Sequence, residues 1–362
     1  MKIVLFAFAH MEYTIELAEA LAMKEEALLF IPENRAKNFA NVINNNLSIY
    51  PYARPRLRSP FNILMLLKVY YKIITFRPDV IHLQGEHPWF DLTSPFLARK
   101  YPIVLTVHDV ILHSGDESST RIPSFFYEIN RKFAHKIIVH GKHLKQEMLE
   151  TSRFSANDIH ILPRGVNSIY KRYITQTADE EKYSILFFGR IWPYKGLGYL
   201  IEAEPKVSKV FPDLKIVIAG RGEDFNRYRE MMVNKEKFVV YNEYISNETV
   251  NKLFQKASVI VLPYTDASQS GVIPMAYSFK KPVIATNVGS LPEVVDHGET
   301  GLIVPPKDSD KLADAIIGLF SDTKKLKEMG EKAFIKSNED LSWERIAVNT
   351  TEIYKEAILS KN

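Results

Sequence analysis

Twelve short runs of β-forming residues constrain this chain more than any other feature. They read KIVLFAF, ALLFI, VIHLQ, IVLTVH, KIIVHG and DIHILP in the first half. In the second half they read SILFFG, LKIVIAG, KFVVYN, VIVLPY, PVIAT and GLIVP. Most are continuously apolar rather than alternating. A strand with one face in water alternates, whereas a strand covered by helices on both faces does not. Helix-like stretches such as TIELAEALAMK and KHLKQEMLE lie between the runs. The pattern predicts an α/β protein made of two doubly wound parallel sheets in tandem.

The 362 residues are enough for a sizeable core in each half. A polar, charged stretch, NSIYKRYITQTADEEKY at 167–183, marks the break. The expected division is a first Rossmann-like domain at 1–168, a second at 169–340, and a terminal helix at 341–362 packing back on the first. Ser342 is placed to cap that helix, with Trp343 as its first residue. Arg345 stands where a capping box needs Glu or Gln, so no box is expected.

Composition narrows the function. Hydrophobic residues make up 46% and charged residues 25%, values of a soluble globular chain. The net charge of +4 is too balanced to suggest nucleic acid as a partner. With no cysteine, disulfides and thiolate chemistry are excluded, and a cytoplasmic location is expected. The opening MKIVLFAFAH has a short apolar run followed at once by His10 and Glu12, which reads as a buried strand rather than a leader. No run of about 18 apolar residues is present. Charge is nevertheless uneven. Residues 34–78 contain no Asp or Glu but hold Arg35, Lys37, Arg54, Arg56, Arg58, Lys68, Lys72 and Arg77. Within them, SPFNILMLLKVYYKIITFRP joins a broad apolar face to Lys68 and Lys72, so an anionic membrane surface is a candidate partner at the inner membrane face.

Ligands of open parallel sheets sit at the carboxyl ends of strands, and two facing sheets make the cleft between them the default site. After SILFFG comes GRIWPYKG, in which Arg190 offers a planar fork and Lys195 a mobile charge to phosphate oxygens. After VIVLPY comes DASQSGVIPMAYSF. There Ser268, Gln269, Ser270 and Gly271 precede a helix start, where backbone N–H groups attract anions. Together these groups would cradle a diphosphate. In VIAGRGED, Gly220-x-Gly222 with Glu243 raises a dinucleotide site, but no third glycine follows in register.

GRIWPYKG, ASQSGVIPMAYSFKKPVIATNVGSLPEVV and GETGLIVPPKD resemble the retaining glycosyltransferases of the two-Rossmann-domain GT-B type, family 4. The likeness is strong across 185–310. In the first half it is carried by VLTVHD and VIHLQGEHP. It implies transfer of a sugar, typically hexosyl, from a nucleoside-diphosphate donor to a glycan or lipid-linked acceptor. It also implies retention, no obligatory metal or other cofactor, a donor on the second domain and an acceptor on the first. UDP-sugars are favoured over GDP-sugars. By position, Arg190 and Lys195 would stabilise the leaving diphosphate, and His108 would stand near the reacting sugar. Gly189, Gly220, Tyr244 and Ile245 would complete the donor site. His10 and Tyr13 occupy the loop after the first strand, where a glycine-rich turn is usual, and His82 and His87 are expected to project from a strand end nearby, all on the acceptor side. A metal held by His82, Glu86 and His87 fits no standard zinc spacing.

The chain departs from that family at one place. Its usual pair of glutamates, eight apart, aligns with Ala267 and Met275. Asp266 does not restore the spacing, since Pro274 stands eight further on. Two other readings therefore stay open: a catalytically silent nucleotide-sugar-binding subunit, and a sugar-nucleotide epimerase.

Overall fold

The computed structural model describes residues 1–44, 46–85, 87–111, 124–173 and 177–361. They form two compact units. One takes 1–110, 124–165 and 342–361, and the other takes 111, 166–173 and 177–341.

The first unit is built on a seven-stranded sheet. Its strands are β1 Lys2–Ala7, β2 Glu26–Pro32, β3 Ser48–Tyr52, β4 Val80–Gln84, β5 Ile103–Val107, β6 Lys136–Val139 and β7 Ile159–Ile161. Their spatial order is β3-β2-β1-β4-β5-β6-β7. The second unit holds β8 Ser184–Phe188, β9 Lys215–Ala219, β10 Phe238–Tyr241, β11 Val259–Leu262, β12 Val283–Thr286 and β13 Gly301–Val304. Their order is β10-β9-β8-β11-β12-β13. Every pairing is parallel. The continuously apolar runs are therefore the helix-covered strands that their composition predicts. Burial is complete in the central β4 and β5 and only partial in the edge strand β10.

β3 is the strand that the sequence reading lacks. It sits at the sheet edge, is only half apolar and contains Pro51. Proline removes a ladder donor and is tolerated in sheets mainly at such edges. In each sheet the strand order reverses once, between β1 and β4 and between β8 and β11. Those two points are where an open parallel sheet leaves a crevice at its carboxyl edge.

The polar stretch after β7 is tied to the second unit. Asn251 Nδ2 donates to Tyr170 O at 2.9 Å, and Glu181 bridges Lys215 and Lys256. The terminal helix Trp343–Lys361 belongs to the first unit, against the helix Met11–Ala22. Ser342 Oγ accepts from Arg345 N at 3.4 Å, a cap without a box. Trp343 presses on Gly165: a Cβ there would lie 2.6 Å from the indole. Gly165→Ala should therefore displace the indole and cost about 1–3 kcal/mol. Amide exchange along 343–361 should quicken in that variant, and unchanged exchange would show that the contact has slack.

Candidate functional site

In the second unit the site residues gather at the switch between β8 and β11. The loop after β8 runs through Gly189 and Arg190 to a 3-10 turn, Pro193–Lys195. The loop after β11 runs from Pro263 to Gly271. Thr265 N donates to Tyr194 O at 2.8 Å, which joins the two. Gly196 makes the joint possible. Its φ is +65°, and a Cβ would stand 1.9 Å from Pro263 O, so no other residue fits. Arg190 Nη2 donates to Tyr194 Oη at 3.0 Å. Lys195 Nζ lies 3.7 Å from the Tyr264 ring centroid, a cation–π contact. Burial pushes the Tyr264 hydroxyl up to about 12, while its hydrogen bond with Ser270 and the nearby Arg190 charge pull the other way. Arg190, Lys195, Tyr264 and Ser270 thus form one group.

The third loop, after β12, locks against the second. Ser290 N donates to Ser268 O at 3.1 Å. Gln269 Oε1, Ser290 Oγ and Trp192 Nε1, all on these loops, are buried without a hydrogen-bond partner among the described residues. Buried polar atoms are ordinarily paired, so each of the three loops carries unused polar capacity.

Other positions differ from the sequence reading. The helix after Gly271 is only Val272–Ser278, seven residues, so its dipole is short. Gly271 itself has φ −72° and ψ −9°, an ordinary right-handed conformation that does not require glycine. What these loops could offer an anion is therefore the two cations and the loop more than a helix end. Ala267 and Met275 are both buried, and neither position holds a carboxylate. Tyr244 is exposed and Ile245 buried, after the edge strand β10. Gly220 and Gly222 have a packing explanation. A Cβ on either would meet a carbonyl, Gly189 O at 1.7 Å and Ile191 O at 1.8 Å. They serve the contact between loops, which accounts for them without a dinucleotide.

In the first unit, residues at the ends of β1, β4, β5, β6 and β7 meet. His10 takes a left-handed backbone, φ 49° and ψ 53°, and stacks on His108 with centroids 3.6 Å apart. Tyr13 lies edge-on to His108 at 5.4 Å, and His140 lies 4.8 Å from it. Arg164 Nη1 stands 3.3 Å from His108 Nδ1. A guanidinium only donates, so Nδ1 accepts and the proton of His108 is on Nε2. That N–H donates to Gln84 Oε1 at 2.9 Å. Gln84 Nε2 in turn donates to His82 Nε2 at 3.1 Å and Thr106 Oγ1 at 3.0 Å. His82 is left to donate from Nδ1 to Tyr354 Oη at 2.6 Å. One chain of hydrogen bonds therefore runs from His108, whose tautomer Arg164 sets, to the terminal helix. Burial, with His10, His140 and Arg164 nearby, holds His108 well below the usual imidazole range and so neutral.

His82 does not project from a strand end. It lies mid-strand in β4, fully buried, with both ring nitrogens bonded internally. His87 caps the short helix Pro88–Asp91 and packs on Phe8, with ring centroids 5.4 Å apart. Glu86 lies outside the described residues. Among the described residues no group of three or more His, Asp or Glu side chains is placed to hold a metal ion. The sequence reading missed Gln84, Arg164 and Tyr354. Gln84 was within reach, because it stands two residues after His82 and so shares its face of β4.

These buried rings make a pH prediction. Burial lowers His82 to about 3, His140 to about 3 and His87 to about 4, from an ordinary 6.5. Below pH 6.5 the unfolded chain takes up protons that the folded chain refuses. Stability should therefore be full above that pH and fall as pH drops towards about 4. The melting temperature measured across this window should decline steadily, and a level profile would show that the rings titrate normally.

Known proteins share this architecture. The model for glycosyltransferase family 4 matches residues 12–168, and the model for glycosyl transferases group 1 matches 182–322. An uncharacterized glycosyltransferase of Methanocaldococcus jannaschii is 30% identical over 309 residues, covering 77% of this chain and 76% of its own. A D-inositol 3-phosphate glycosyltransferase of Paenarthrobacter aurescens is 30% identical over 304 residues, covering 78% and 74%. Among solved structures, sucrose-phosphate synthase from Thermosynechococcus elongatus superposes with a TM-score of 0.74 at 18% identity, over 99% of this chain and 100% of its own. Anabaena HepE in complex with UDP gives 0.73 at 16%, over 98% and 100%. The two parallel α/β units and these likenesses make the fold GT-B, and the chain belongs to the family 4 glycosyltransferases.

Proposed function

We propose that this glycosyltransferase moves a hexosyl group from a nucleoside-diphosphate sugar, UDP favoured over GDP, to a glycan or lipid-linked acceptor, with retention and no obligatory metal. The observation that carries the reading is the placement of two cations at the β8/β11 switch, Lys195 on the Tyr264 ring and Arg190 on Tyr194, whose carbonyl accepts from Thr265. The names of the relatives support glycosyl transfer, and the UDP in the HepE structure supports the nucleotide.

The chemistry follows from charge. Breaking the bond between the anomeric carbon and its oxygen leaves negative charge on the departing diphosphate. Two cations preset there are most useful as that charge grows. Arg190 would clamp the oxygens through its fork, and Lys195 would follow them by leaving the Tyr264 ring. The departing phosphate oxygen would take the acceptor's proton. No carboxylate stands at Ala267 or Met275, and double displacement by a close carboxylate pair would need one. Gly189, Ser268, Gln269 and Ser270 would line the donor, Gly220 would support the loop, and Tyr244 and Ile245 would flank the base. Neutral His108 would face the sugar, with His10 and Tyr13 on the acceptor side. His82 would act only through Gln84. The setting would be the cytoplasmic side of a membrane.

The missing carboxylates keep a second reading in view: a subunit that binds the donor without turning it over. A thermal-shift screen against UDP, GDP and ADP should raise the midpoint most with UDP. Lys195→Ala should lower the rate of UDP release from the donor by about a hundredfold. Unchanged turnover in that variant would remove the cation argument. Binding with no release under any acceptor would favour the silent subunit, and interconversion of donor sugars without release would favour the epimerase.

A further inference from the structure

The helix Phe61–Phe76 is apolar on two opposite faces. Asn62, Met65, Val69 and Ile73 turn inward and are buried in the first unit. At about 100° per residue, Phe61, Ile63, Leu67, Tyr71 and Ile74 fall away from that side. Each exposes half or more of its surface. A surface helix normally turns polar residues outward. Here the charged residues occupy one edge only, as Lys68 and Lys72, with no Asp or Glu on the helix. The apolar surface continues beyond it. Trp89 Nε1 donates to Leu57 O at 2.7 Å and Tyr70 Oη to Thr93 O at 3.1 Å, and exposed Leu92 and Phe96 follow in the same segment. Arg54, Arg56 and Arg58, on the loop leading into the helix, are all exposed.

We infer that this face docks on an anionic lipid bilayer, lying flat with its apolar stripe among the acyl chains and its basic edge at the headgroups. The charge pattern selects this occupant. A second copy would present the same net-positive, acid-free patch, so the two faces would repel as they met. A neutral apolar partner would leave the basic edge unmatched. An anionic interface matches both, since a helix so placed sinks its apolar side into the headgroup boundary while each Lys or Arg near the surface adds attraction. Among the described residues no helix is long and apolar enough to cross a membrane. Vesicle binding is read without turnover, so this docking stands or falls apart from the transfer reading.

The test is flotation of the full chain with vesicles of phosphatidylcholine alone and of phosphatidylcholine with phosphatidylglycerol. The chain should float with the anionic vesicles, far less with the neutral ones, and less as salt rises. Lys68→Gln with Lys72→Gln should weaken partitioning about thirtyfold. Leu67→Gln with Ile74→Gln should weaken it at least about tenfold. Leu67, Lys68 and Ile74 are exposed and Lys72 is half-buried over the Tyr50 ring, so unchanged melting temperatures are needed to confirm that the variants fold. Absence of flotation with anionic vesicles, or equal flotation with neutral ones, would overturn the inference. So would a dimer in light scattering that the Leu67, Ile74 variant splits, since the face would then belong to a second copy.

Discussion

The second unit's site depends on one joint, where the loop after β8 meets the loop after β11. The two strands are neighbours in space but far apart in sequence, with a change of winding direction between them. Their loops therefore leave the sheet on the two sides of a crevice. The Thr265–Tyr194 backbone bond closes the distance, and Gly196 under Pro263 O allows the approach. Arg190 then bonds the Tyr194 hydroxyl and Lys195 lies on the Tyr264 ring, so both cations are held at the same joint. Like charges repel, and an arrangement that holds them near one another is suited to a ligand with two negative groups.

The first unit uses a different device. Its strand ends bring imidazoles together rather than opposite charges, and burial keeps His108 and His140 neutral. Neutral rings tolerate stacking and hydrogen bonds that imidazoliums would not. Arg164 gives His108 one tautomer, and Gln84 and His82 carry the chain on to Tyr354. The terminal helix is thus a structural part of the first unit's polar centre and more than a cover for the helix Met11–Ala22.

Much of this was legible in the sequence. Apolar runs reveal parallel strands because burial on both faces leaves no room for alternation, and Arg190, Lys195 and Ser270 stand out as candidates because loops after strands are where such sheets bind. β3 escaped because an edge strand with Pro51 needs neither continuous apolarity nor a full set of donors. His82 was misplaced because a run such as VIHLQ does not say whether its histidine ends the strand or lies within it. Arg164 and Tyr354 escaped for a deeper reason: their partners lie 56 and 272 residues away, and only the folded sheet brings them together. Gly220 and Gly222 look like a nucleotide turn in one dimension and prove to be points of contact between backbones in three.

The most direct measurement is a crystal structure of the chain with UDP. The account requires the diphosphate at the β8/β11 switch, with Arg190 and Lys195 each about 3 Å from a phosphate oxygen and Lys195 lifted from the Tyr264 ring. A diphosphate seated elsewhere, with both side chains still resting on Tyr194 and Tyr264, would contradict it.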